Sequence, residues 1–175
     1  MKKIPLTQGK FAIVDDEDFE SLSHWKWYYA SDGFGDGYAI RADKRINGKC
    51  RKTIRMHRQI MQTPEGLQTD HINHKKTDNR KINLRICTRL ENSFNKNIQR
   101  NHSSGFKGVS FRKDIKKWQA IITINKFQKR IGYFITPEEA ARAYDNAAQP
   151  NFGEFAKINF NDAMLEPIER EVING

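Results

Sequence analysis

Apolar positions along the chain fall in short runs separated by polar stretches, and most of these runs have the length of a strand. GKFAIV (9–14) reads as a strand, DDEDFESL (15–22) as an acidic first helical turn, and HWKWYYA (24–30) alternates aromatics in the strand manner. After the glycine-rich turn SDGFGDG (31–37), two strand-like runs, YAIRADKRI and KCRKTIRM, flank Asn47-Gly48, a dipeptide that accepts the positive φ angles of a tight hairpin. Trp25 and Trp27 could stack on bases, but a small β-rich region needs large side chains inside, so both are assigned to its core. MHRQIMQ (56–62) predicts a short helix that stops at Thr63-Pro64, since proline restricts the residue before it and cannot continue the ladder.

GLQTDHI (66–72) and LRIC (84–87) predict two short strands around a long polar loop. Thr88 and Glu91 then have capping-box spacing, which opens a helix over about 89–98. Beyond the polar linker QRNHSS (99–104) the pattern changes. FKGVSFR (106–112), KWQAIITI (117–124) and FQKRIGYF (127–134) are three strand-length runs joined by short turns, so neighbours should pair antiparallel. Thr136-Pro-Glu-Glu139 starts a helix on which Ala140, Ala141, Tyr144, Ala147 and Ala148 form a flat face able to lie close to a sheet. The expected fold class is α+β. Its parts are an N-terminal β-rich region (1–54), a strand-loop-strand-helix module (55–98), a linker (99–104), a three-stranded antiparallel sheet packed on one helix (105–160) and an acidic tail (161–175).

Charge narrows the partner. The 175 residues carry a formal net charge of +10, and residues 41–132 hold 24 Lys and Arg against 6 Asp and Glu, between two mildly acidic ends. So one-sided a field attracts a polyanion, which makes nucleic acid the leading partner. No apolar run approaches the roughly 20 residues of a membrane-spanning helix, and MKKIPLTQGK has no apolar stretch that would make it a secretory signal. Cys50 and Cys87 stand alone, without the spacing of a structural zinc or a disulfide framework, so a reducing cytoplasm is the expected setting.

The chemistry concentrates in QTDHINHKKTDNRKINLRIC (68–87). Asparagine is common in ordinary loops, so a solvated connection competes with a folded metal site. If the flanking strands pair, Asp70 and His71 come near the opening turn of the next helix, where Asn92 sits. A carboxylate and an amide oxygen are hard ligands that suit Mg²⁺, while a histidine facing the other way along the strand can take a proton from water. Phosphodiester cleavage needs both parts. The groups Asp70-His71-Ile72-Asn73, Asp78-Asn79-Arg80, Asn83-Leu84-Arg85 and Glu91-Asn92, with Met56-His57-Arg58 upstream, resemble the HNH endonucleases of the homing and phage type, whose active site is the ββα-metal fold. The resemblance implies His71 as general base, Asp70 and Asn92 as ligands of Mg²⁺ or Mn²⁺, and Asn83 as the middle asparagine that braces the loop. It also implies products with 5′-phosphate and 3′-hydroxyl ends.

Residues 103–160, from SSGFKGVSFR through KKWQAIITI, IGYF and TPEEAARAYDNAA to FAKINF, resemble the apetala/ethylene-response-factor DNA-binding domain. That family lays the outer face of its sheet in the major groove. By position, the contact candidates here are Lys107, Ser110, Arg112, Thr123, Gln128 and Arg130, several of which differ from the plant residues, so groove binding is implied without the plant sequence preference. Trp118 and Phe134 belong to the core. The combined expectation is a site-directed, metal-dependent endonuclease that nicks double-stranded DNA as a monomer. The alternatives are a non-catalytic DNA-binding regulator on a nuclease scaffold, and an RNA-directed protein.

Overall fold

β1 (Lys2–Pro5) pairs antiparallel with β2 (Phe11–Val14), and α1 (Asp16–Ser23) follows at once. In the computed structural model the described residues are 1–33, 35–43, 52–96 and 103–160. The Asn47-Gly48 turn, Cys50, most of the linker with His102, and the acidic tail lie outside them. The chain divides into two units, Met1–Asn92 and Ser93–Gly175, so residues 1–54 share a unit with the strand-loop-strand segment. The architecture is mixed α and β, with four small antiparallel sheets among the described residues.

The second sheet of the first unit has the order β3 (Tyr28–Ser31), β4 (Gly37–Ala42), β5 (Thr53–Arg55). β4 and β5 pair with Arg41 opposite Ile54, the antiparallel arrangement expected of the two runs around Asn47-Gly48. α2 (Met56–Ile60) then leads to β6 (Gln68–His71), which pairs with β7 (Leu84–Cys87), and α3 (Arg89–Phe94) follows. Ile4, Leu6, Ala12, Val14, Leu22, Trp27, Ala39 and Met56 form the core. Each large side chain fully buried in this way contributes about 1.5–3 kcal/mol.

Two local departures from the sequence pattern have physical causes. β3 starts only at Tyr28, because Trp27 turns inward and its indole Nε1 donates to the Leu22 carbonyl at 2.9 Å, satisfying a group at the end of α1. Trp25 stays partly exposed, with the Arg41 guanidinium 4.0 Å above its ring. β1 escapes the pattern because Ile4 is its one buried residue, and pairing with β2 decides its conformation.

In the second unit β8 (Val109–Arg112), β9 (Lys117–Ile124) and β10 (Phe127–Phe134) form a meander in the order β10-β9-β8. α4 (Pro137–Phe152) begins with a complete capping box between Thr136 and Glu139. Ala140, Ala141, Tyr144 and Ala148 are buried on it, and the alanines let the helix lie close over Val109, Ala120 and Ile122. Phe94 stacks on Phe152 with centroids 3.9 Å apart. Asp145, also buried, accepts the backbone amides of Asn159 and Phe160 and the Asn159 side chain, which ties the segment after α4 back to the helix. β8 is shorter than the apolar run suggests because Gly108 sits at φ +74°, where a Cβ would lie 2.1 Å from the Tyr144 ring. Gly108→Ala is therefore expected to destabilise this unit by roughly 2–4 kcal/mol, read as a lower denaturant midpoint; an unchanged midpoint would contradict the packing described.

Candidate active site

Alternation along β6 separates the chemistry onto two faces. Asp70 stands opposite Arg85 on β7 and takes both contacts on one oxygen, with Arg85 Nη2 at 2.8 Å and Nε at 3.1 Å from Oδ2. Gln68, two residues back and therefore on the same face as Asp70, accepts a hydrogen bond from Asn92 Nδ2 at 2.6 Å. That places Asn92 beside β6 and fixes which way its amide points. The α3 turn that carries Asn92 is set by its own capping box, in which Thr88 N donates to Glu91 Oε2 at 2.7 Å and Glu91 N donates to Thr88 Oγ1 at 3.2 Å. The Thr88 contacts hold the Glu91 carboxyl below its ordinary range.

His71 projects to the other side and is 4% exposed. Its Nε2 lies 3.2 Å from Asn79 Oδ1. Burial pushes its pKa down, and the contact with Asn79 is the largest influence in the opposite direction. His57, from α2, meets His71 edge to face with centroids 4.8 Å apart, and the Tyr38 ring of β4 is 5.3 Å from His57 and 6.1 Å from His71. Burial, then the neighbouring His71, Arg55 and Arg58, push the His57 pKa down to about 3, so this ring is neutral at physiological pH. Its Nδ1 is buried without a hydrogen-bond partner among the described residues. Arg55 and Lys76 flank Tyr38, their charged groups 5.4 and 4.9 Å from its ring.

The loop between the strands is folded rather than solvated. Asn83 crosses it, accepting from Asn73 N at 3.0 Å on Oδ1 and donating from Nδ2 to the Asp78 carbonyl at 2.7 Å. Asp78 is buried and takes Arg80 through both oxygens, at 2.7 and 2.6 Å, and this pairing holds its carboxyl below the usual range. β2 supplies the outer clasp, since Ile13 N donates to Thr77 O and Asn79 N donates to Ile13 O, each at 2.8 Å. Among the described residues no group of three or more His, Cys, Asp or Glu side chains is placed to hold a metal ion. Asp70 and Asn92 offer a carboxylate and an amide oxygen instead.

A family model for HNH endonucleases matches residues 62–94, the span from just after α2 to the end of α3. A protein of Acanthamoeba polyphaga mimivirus described as an uncharacterized HNH endonuclease is 32% identical over 158 residues, which are 87% of this chain and 76% of the relative. The chain belongs to the HNH endonuclease family. Protein 3.8 of Escherichia phage T7 is 31% identical over 77 residues, 41% of this chain and 64% of that protein. No solved structure matches.

Within this HNH endonuclease, sequence reasoning nominated Asp70, His71, Asn83 and Asn92 and assigned no role to Tyr38 or Asn79. Asn79 lies inside the quoted motif, so its identity was available and its contact was not. Tyr38 carried no signal, because only the packing of β4 against α2 brings it there. In the second unit Ser110, Arg112, Thr123, Gln128 and Arg130 all fall on the face opposite α4, with Ser110 across from Gln119 and Thr123 across from Gln128. Lys107 is not among them. Its ammonium donates to the carbonyls of Phe94 and Lys96, and burial lowers its pKa to about 8.

The His57 value has a consequence for stability. The folded chain resists protonating this ring, whereas the unfolded chain takes up a proton below about pH 6.5. Stability is therefore complete above that pH and declines as pH falls from 6.5 toward 3. The groups facing the ring are His71, Tyr38, Arg55 and Arg58. The urea midpoint should fall between pH 7 and pH 5, and His57→Gln should flatten that fall; an identical pH dependence in the variant would acquit His57.

Proposed function

We propose that this endonuclease hydrolyses phosphodiester bonds in double-stranded DNA, with His71 as general base and with Asp70 and Asn92 holding a divalent cation. The observation that carries the reading is the buried imidazole of His71, which desolvation favours in its neutral form, on the strand whose Asp70 shares a face with Gln68, the residue that Asn92 contacts. Two hard oxygen donors fit Mg²⁺ or Mn²⁺, ions that keep waters in their other positions. When bound, the cation supplies charge compensation for the phosphoryl group and the leaving oxygen.

The chain's own residues do the rest. His71 accepts the proton of the attacking water, Asn83 keeps the loop closed around it, and Gln68 orients the Asn92 amide so that its Nδ2 is engaged and its oxygen is the ligand end. Arg85 holds the Asp70 carboxylate in place through two charge-assisted contacts to Oδ2. Products with 5′-phosphate and 3′-hydroxyl ends follow from the family resemblance, and one such site per chain fits nicking by a monomer.

The second unit, which resembles the apetala/ethylene-response-factor domain, would lay its outer sheet face in the major groove. Arg112 and Arg130 are exposed there. Arg112 pairs with Asp114 and Arg130 leans on Tyr133, partners that an exposed guanidinium can exchange for phosphate at little cost. Linking the two units raises the local DNA concentration at the nuclease.

Supercoiled DNA carrying a library of candidate sites, incubated with Mg²⁺ or with chelator, tests the proposal. Wild type should nick it only with metal, and His71→Ala should lose about 10²–10⁴-fold in rate. Equal cleavage by wild type and variant would remove His71 from the chemistry. Cleavage by neither, across several divalent ions, would favour a DNA-binding regulator. In a separate titration, replacing Arg112 and Arg130 with alanine should reduce the salt slope of binding by about 2. An unchanged slope would remove that sheet face from DNA binding.

A further inference from the structure

We infer that the outer face of the sheet β3–β4–β5 is a surface on which the first unit grips DNA, with Lys26 and Arg55 on its phosphates. The inference rests on the reading of the chain as a DNA endonuclease.

Register and alternation divide the sheet into two faces. Tyr29 and Ala39 stand opposite each other and face the core of the first unit. Tyr28, Ile40 and Arg55 therefore form a row across the three strands on the other face, with Ala30 and Tyr38 in the next row. No member of either row is buried, and Tyr28 and Arg55 are exposed. The second row ends beside the site, because the Tyr38 ring lies against those of His57 and His71.

The cations of this face lean on its rings. The Lys26 ammonium is 5.9 Å from the Tyr28 centroid, and Arg55 and Lys76 are 5.4 and 4.9 Å from that of Tyr38. Lys76 also pairs with Asp32. Among the described residues Lys26 and Arg55 have no carboxylate partner. Behind burial and His71, Arg55 is the next influence that lowers the His57 pKa, so its charge is felt inside the site. A face that ends at two buried imidazoles thus carries positive charge that its own residues do not offset, and such a field draws an anion from outside. Neighbouring strands lie about 4.8 Å apart, so Tyr28 and Arg55, two strands apart, are separated by roughly 10 Å. One phosphate does not span that distance. A nucleic-acid strand, with a phosphate on every nucleotide, reaches both cations while the tyrosine rings pack against it.

The test is made on the full chain with chelator present, so that binding is read without cleavage. The probe is a random-sequence DNA duplex, and the readout is the salt slope of its Kd. Arg55→Gln should lower the slope by about 1, and Arg55→Gln combined with Lys26→Gln by about 2. Arg55→Lys keeps the charge and should keep the slope. Lys10 leans on Tyr29, on the opposite face of the sheet, so Lys10→Gln should leave the slope as in wild type. Both side chains of the double variant are exposed, so its urea midpoint should match wild type. An unchanged slope in the double variant overturns the inference, and so does an equal loss from Lys10→Gln. Tighter binding of an RNA duplex than of DNA overturns it in favour of an RNA partner. Failure of the endonuclease reading looks different: with Mg²⁺ restored, wild type would leave DNA uncut while the slope losses stood.

Discussion

Two backbone hydrogen bonds between Ile13 and the polar loop, to Thr77 and from Asn79, hold the first unit's site together. The loop buries Asp78, Asn79 and Asn83, and every polar group taken from water without a partner costs about 1–3 kcal/mol. A loop of this composition cannot meet that demand from its own backbone. β2 meets part of it, Asp15 and Asp36 accept the amides of Lys81 and Lys76, and the side chain of Asn83 closes the remainder. The residues before the motif are thus part of its scaffold. They convert a flexible connection into a folded element that keeps the side chains it carries in place.

Desolvation shapes the chemistry that this scaffold holds. His57 and His71 lie edge to face in a buried setting that penalises charge on either, with Arg55 and Arg58 adding to the penalty on His57. The anionic side of the site is arranged differently. Asp70 is engaged by Arg85, whose side chain is itself mostly buried, so the carboxylate is oriented between β6 and β7. One strand therefore carries a buried histidine on one face and a carboxylate held by arginine on the other.

The second unit answers a different requirement. Its buried residues are mostly small on the helix and branched or aromatic on the sheet, a pairing that brings α4 close and leaves the opposite face of the sheet to polar and cationic side chains. Lys107 illustrates how position on a strand-rich surface misleads: a lysine beside the sheet serves backbone carbonyls instead of presenting its charge outward.

Much of this was legible along the chain. Most strands of both units, the Thr88 and Thr136 caps and the buried alanines of α4 follow from local rules, because hydrogen-bonding periodicity and capping act over a few residues. The placement of Asp70 and His71 on opposite faces followed from strand alternation. β1 was not legible, since one buried isoleucine among lysines and a proline carries no period, and neither was the end of HWKWYYA that turns Trp27 inward. Tyr38, His57 and Asn79 reach the site through tertiary contacts alone. So the sequence by itself determined which chemical groups are present and which elements carry them. Only the tertiary structure decided that Asn79 faces Nε2 of His71, because that depends on Ile13 and Thr77, whose partners no local spacing specifies.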